Sequence, residues 1–223
     1  MRWQWAWEHL PAAAALAWER HAPLARVHAV LDERLATILG PGRLLDLGCG
    51  TGELARLLAG RHPGLFVTGV DVSAAMVALA RRRTGVLERV DFLVADAGRL
   101  PAEWTGRYDW AVATGSLYLW RDPLRALAQL HRVLRPGGRA WLAENRRDCD
   151  RPAVWRALAR ADVPAAGRVL TRLTLPMQLA ASYSTGELER LFAASAFAGH
   201  ARVTPDDSAG ALPVRVWIEL ERP

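Results

Sequence analysis

Five short apolar runs separated by helical patterns constrain this chain more than any other feature of its sequence. The runs are RLLDL (43–47), LFVTGV (65–70), RVDFLVA (89–95), YDWAVAT (108–114) and RAWLAE (139–144). Between them lie ELARLLAGRH (53–62), AAMVALARRR (74–83) and PLRALAQLHRVL (123–134), with a short irregular helix expected near GRLPAEW (98–104). Strand-like runs alternating with helices imply right-handed βαβ crossovers, and hence a mainly parallel, doubly wound sheet covered on both faces. In such a sheet, ligands bind in the crevice outside the carboxyl ends of the strands. The site is therefore expected just after the runs.

Two regions fall outside the alternation, and both are expected to cover that crevice. In residues 1–40, Trp3, Trp7, Leu10, Ala14 and Trp18 share one helical face, with Pro11 marking a helix start. That segment reads as an N-terminal helical lid, or as a face packed on the domain. Residues 145–183 follow the fifth run and read as an inserted cap. Beyond them, STGELERLFAASAF offers Ser184 or Thr185 as a helix cap with Glu187 in the first turn, and AGHARVT and LPVRVWIEL flank PDDSAG as an antiparallel hairpin. At 223 residues the whole fits one domain, 1–223.

Composition narrows the class further. No apolar run approaches the roughly 18 residues of a membrane span, and charges and Trp stand where a secretory signal has its apolar core, so a cytoplasmic protein is expected. The two cysteines, Cys49 and Cys149, are too few for a disulfide framework or a thiolate zinc site, and no metal is expected. A net charge of +6 suggests an anionic partner, but all 29 basic residues are Arg, dispersed at helix-face spacing apart from RRR (81–83) and RR (146–147). Solvated helix faces account for that pattern better than a nucleic-acid track does.

The loop after the first run carries the chemistry. In LLDLGCGTGELA, Gly50, Gly52 and Ala55 satisfy the dinucleotide pattern G-x-G-x-x-G/A, with Asp71 about 20 residues further on. A pyrophosphate wants backbone N–H groups, a helix N-terminus and no carboxylate close by. Asp46 and Glu53 contradict the last condition, each repelling a phosphate by on the order of 1 kcal/mol or more at about 4–5 Å. A ligand with cationic groups removes the conflict.

S-adenosylmethionine, with an ammonium and a sulfonium, is such a ligand, and the loop resembles the first motif of the class I S-adenosylmethionine-dependent methyltransferases, with Asp46 followed by Gly48, Gly50 and Gly52. The likeness continues in order through VTGVDVSAAM (67–76), FLVADAGRLP (92–101), YDWAVATGSLYLWRDP (108–123) and LHRVLRPGGRAWLAE (130–144), covering about residues 43–145. The resemblance implies a Rossmann-like α/β fold with seven strands in the order 3-2-1-4-5-7-6, the seventh antiparallel. It also implies S-adenosylmethionine as cofactor. Gly48, Cys49 and Gly50 would approach the ligand through their backbone, with Gly52 in the same loop, and Asp46 would help hold the methionine end. Asp71 would accept from both ribose hydroxyls. Val72 and Met76 would pack the adenine, with Asp96 and Ala97 at its polar edge, and Thr114 and Leu117 would lie under the transferable methyl. Taken singly, Asp71 or Asp96 would serve as a helix cap and Cys49 as a small packed residue.

Methyl transfer from a sulfonium is an in-line displacement with an activated leaving group, so positioning supplies much of the acceleration. The resemblance implies such a transfer to a small-molecule acceptor, at O, N, S or C, releasing S-adenosylhomocysteine. Candidate bases are His21, His28, His131, Tyr118, Tyr183 and Glu144; Tyr118 and His131 are the catalytic candidates, and the base, if one is used, is left unassigned. The fourth motif reads ATGSLYLW in place of the Asn/Asp-Pro-Pro-aromatic motif of nucleic-acid and glutamine amino-methylating enzymes. An apolar or anionic small molecule is therefore the expected acceptor, an oligomer is allowed, and nucleic acid is disfavoured. The alternatives are a non-catalytic S-adenosylmethionine or S-adenosylhomocysteine binder and an RNA methyltransferase.

Overall fold

The structure is a computed structural model that describes residues 24–85, 87–160, 165–206 and 213–223. Its sheet has seven strands in the order β3-β2-β1-β4-β5-β7-β6. These are β1 (Gly42–Leu47), β2 (Leu65–Asp71), β3 (Val90–Val94), β4 (Tyr108–Thr114), β5 (Leu134–Asn145), β6 (Ala201–Pro205) and β7 (Arg215–Glu221). β1 to β5 run parallel, and β7 is antiparallel to both β5 and β6. The expected topology, with its terminal hairpin and reversed seventh strand, is present.

Alternation along each strand sends side chains to two separate cores. Leu44, Val67, Phe92, Val112 and Trp217 face one side, where α1 (Leu24–Leu35), α2 (Glu53–Arg61) and α3 (Ala74–Thr84) pack. Leu45, Leu47, Val70, Ala113, Val216 and Ile218 face the other, where they meet α4 (Pro123–Val133) and α7 (Thr185–Ala193). α4 buries Ala126, Leu127, Leu130 and Val133, a stripe of helical period, and begins at Pro123 behind an Asp122 cap that accepts from Arg125 N at 3.0 Å. α7 begins with a complete capping box between Ser184 and Glu187.

One expectation changes. The fifth strand begins at Leu134 and includes RPGG: Leu134 pairs with Tyr108 and Arg139 with Trp110, so residues 135–138 bulge opposite Asp109. The bulge is held by Arg135 Nε, which donates to Asp109 Oδ1 at 2.6 Å. In the 1–40 segment, α1 is core, with Leu31 and Leu35 fully buried against Leu44 and Leu58. The Trp-rich face from Trp3 to Trp18 lies outside the described residues. Residues 145–183 form two helices, α5 (Arg151–Arg160) and α6 (Ala165–Ala181). Among the described residues, no helix is long and apolar enough to cross a membrane.

Candidate active site

Between β1 and β4 the direction of strand progression reverses, and the crossovers leave a crevice at the carboxyl ends. A cavity of about 210 Å³ lies there. Its wall follows the strand order, from Asp96 and Ala97 after β3, through Asp71 and Val72, Gly48 to Thr51, and Thr114 to Ser116, to Asn145 at the end of β5 and Arg215 at the start of β7. Five strand spacings of about 4.8 Å make that row roughly 24 Å long.

The glycine loop is pinned to the end of β2. Gly48 N and Cys49 N donate to Val70 O at 2.8 and 3.0 Å, and Gly50 N donates to Asp71 Oδ2 at 2.9 Å. Asp71 Oδ1 accepts from Ser73 N at 2.8 Å. Ser73, not Asp71, caps α3, accepting from Met76 N at 3.4 Å. Each Asp71 oxygen therefore keeps capacity for a further donor at the cavity wall. Gly50, at φ +52°, would project a Cβ into space that holds nothing within 4 Å. That position is a cradle which a side chain would fill. Gly52 differs: a Cβ there would stand 2.6 Å from Phe92 Cζ, so this glycine serves close helix-to-strand packing.

The loop is electronegative. Burial first, then the charge of Asp71, raises the Asp46 carboxyl from the ordinary range to about 7. Asp46 Oδ2 has no hydrogen-bond partner among the described residues. Burial, followed by the charges of Asp46 and Asp71, pushes the Cys49 thiol well up, so it remains an inert thiol. A pyrophosphate is disfavoured here, whereas a nucleoside with vicinal hydroxyls and a cationic tail fits the Asp71 wall, the Gly50 cradle and the apolar slot of Val72, Met76 and Ala97.

The middle of the row carries proton-handling groups. His28 reaches in from α1, with Nδ1 3.4 Å from Glu53 Oε2 and Nε2 3.5 Å from Thr114 Oγ1. The His28–Glu53 approach lies within ion-pair range but is not aligned as a hydrogen bond. Glu144 Oε1 accepts from Ser116 N and Leu117 N, both at 2.9 Å, fixing the turn after β4. Burial raises Glu144 to about 7 against the pull of those amides and of Arg215. Burial and the Glu144 charge push the Tyr118 phenol upward, so it stays protonated near neutral pH.

Gly48, Cys49, Gly50, Asp71, Val72, Met76, Asp96, Ala97, Thr114 and Tyr118 all line the cavity. Asp46 and Leu117 lie behind its surface, Leu117 fully buried in the core, and Gly52 faces Phe92. His131 is a correction: its ring lies edge-on to Phe197 with centroids 5.2 Å apart, outside the cavity lining. Burial, then Arg222 and His200, lower its pKa and keep it neutral. Tyr183 lines a separate surface cleft with Arg147 and Glu187. His21 lies outside the described residues. Three lining residues, Asn145, Gln178 and Arg215, had no motif to announce them. The reversed seventh strand was the available signal, because its first residue shares an edge with the last residues of its parallel neighbours.

The sheet order, with its reversed seventh strand, is that of the Rossmann-like methyltransferase fold of the solved structures this chain resembles. Residues 44–138 match the family described as methyltransferase domain. The demethylmenaquinone methyltransferase of Thermus thermophilus is 43% identical over 112 residues, covering 49% of this chain and 50% of that protein. The malonyl-[acyl-carrier protein] O-methyltransferase of Alcanivorax borkumensis is 37% identical over 131 residues, covering 58% of this chain and 44% of that protein. The chain thus spans half or less of the length of these relatives. Among solved structures, the plantazolicin methyltransferase BpumL in complex with SAH superposes with a TM-score of 0.72 at 17% identity, covering 98% of this chain and 93% of that one. A SAM-dependent methyltransferase from Aquifex aeolicus gives 0.62 at 16% identity, covering 86% and 89%.

Proposed function

We propose that the chain transfers the methyl group of S-adenosylmethionine to a small-molecule acceptor and releases S-adenosylhomocysteine. The observation that carries this reading is Asp71, whose carboxylate fastens Gly50 N on one side and keeps acceptor capacity on the cavity side. The cofactor, when bound, supplies an activated methyl on a sulfonium. Asp71 would hold the ribose hydroxyls, Val72 and Met76 the adenine, and Asp96 its amino edge. The electronegative surroundings of Asp46 and Asp71 favour the cationic end. His28, within ion-pair range of Glu53 and lying beside Thr114, is the group placed to accept a proton from an acidic acceptor.

The cavity continues past Thr114 to Tyr118, Asn145 and Arg215. Room beyond the methyl position favours a transferase over a binder closed at that point. Among the described residues, the arginines that line the cavity are Arg121 and Arg215, the latter buried, which favours a small acceptor over an RNA track. Calorimetric titration of S-adenosylhomocysteine and of NAD⁺ tests the assignment, with Asp71→Ala alongside. S-adenosylhomocysteine is expected to bind and NAD⁺ not, and Asp71→Ala should weaken the former about 30-fold, the loss of roughly 2 kcal/mol of charge-assisted bonding. Native affinity in Asp71→Ala, or preference for NAD⁺, overturns it.

A further inference from the structure

Arg215 is the first residue of β7 and lines the cavity, yet the residue exposes only 8% of its surface. A buried guanidinium is costly unless its N–H groups are satisfied. Its Nε has no hydrogen-bond partner among the described residues. Glu144, Tyr118 and Asp206 act on it through space. Asp206 is already paired with Arg34 at 3.4 Å. Glu144 gives its Oε1 to two backbone amides. Beside Arg215 across the β5–β7 register, Asn145 donates from Nδ2 to Gln178 Oε1 at 3.2 Å and leaves Oδ1 unpartnered among the described residues. A buried guanidinium with an orphaned Nε donor on the wall of a cavity matches an oxyanion.

We propose that Arg215 receives a carboxylate of the methyl acceptor, with the Asn145–Gln178 amide pair closing that end of the cavity. This rests on the methyltransferase reading and adds a substrate class and a length. β4, where Thr114 lies, is two strand spacings from β7, so the methylated atom and the carboxylate are about 10 Å apart. An acceptor of that span is a two-ring acid or an extended acyl chain ending in a carboxylate. Gln178 comes from α6, so part of the 145–183 segment takes part in reading the acceptor.

The test uses biphenyl-4-carboxylate and its neutral isostere biphenyl-4-carboxamide, titrated into protein saturated with S-adenosylhomocysteine. The carboxylate is expected to bind about tenfold or more tightly than the carboxamide, and Arg215→Gln should bring the two within about twofold. Arg215→Lys, which keeps the charge and loses the fork, should retain an intermediate preference and guards against a folding defect in the Gln variant. S-adenosylhomocysteine affinity, measured separately on each protein, should stay native. Equal binding of the two probes, no binding of the carboxylate, or an undiminished preference in Arg215→Gln overturns the proposal. If S-adenosylhomocysteine itself fails to bind, the methyltransferase reading falls, and the Arg215 assignment is scored on the unloaded protein by the same comparison.

Discussion

Asp46→Asn isolates the electrostatic cost of the glycine loop. Asp46 sits in the middle of the parallel sheet, 1% exposed, and its carboxyl is raised from 3.8 to about 7, chiefly by burial. In the unfolded chain the carboxyl returns to the ordinary value, so between these two pH values the folded state binds more protons than the unfolded. Stability therefore falls as pH rises across that window. At about 1.4 kcal/mol per unit, a displacement of about 3 units makes the full cost about 4 kcal/mol, reached above neutral pH and absent below the unfolded value. Between about pH 5 and about pH 8 the native protein should lose about 2–3 kcal/mol from this group alone. The isosteric amide carries no charge to desolvate. Urea unfolding of both proteins at the two pH values, without cofactor, gives the difference directly. Asp46→Asn should gain on the native protein by that 2–3 kcal/mol on going to the higher pH. A stability difference that does not change with pH would show a solvated carboxylate and refute the argument.

Two further outcomes follow from local geometry. Gly52→Ala should cost about 3 kcal/mol in urea unfolding, because residue 52 has φ +75° and the new Cβ would meet Phe92 Cζ at 2.6 Å and Ala80 Cβ at 2.9 Å. A loss under about 1 kcal/mol would mean that the α2–β3 contact is looser than described. Ser184→Ala removes the hydroxyl that accepts from Glu187 N at 3.3 Å and should lower stability by about 1 kcal/mol, read as a drop in Tm. An unchanged Tm would show that Glu187 holds the end of α7 unaided.

How far the sequence could be read depended on whether chemistry was written locally. β1 to β4 and α2 to α4 agree with the sequence patterns to within a residue or two, because each element buries a face whose period is visible in its own residues. The wall from Asp71 to Thr114 was legible for the same reason, each position following its strand directly. His131 misled because an imidazole on an amphipathic helix carries no mark of which core it borders, and in α4 its ring lies edge-on to Phe197. The acceptor end was hidden differently. Asn145 ends one strand and Arg215 begins another seventy residues later, and they become neighbours only because β7 runs antiparallel to β5. The same reversal lets a strand's amino end contribute to a site otherwise built from carboxyl ends. In this fold the cofactor half is assembled from sequential strands and reads as motifs. The proposed acceptor half is assembled across the antiparallel step from β5 to β7, so its specificity must be sought in register.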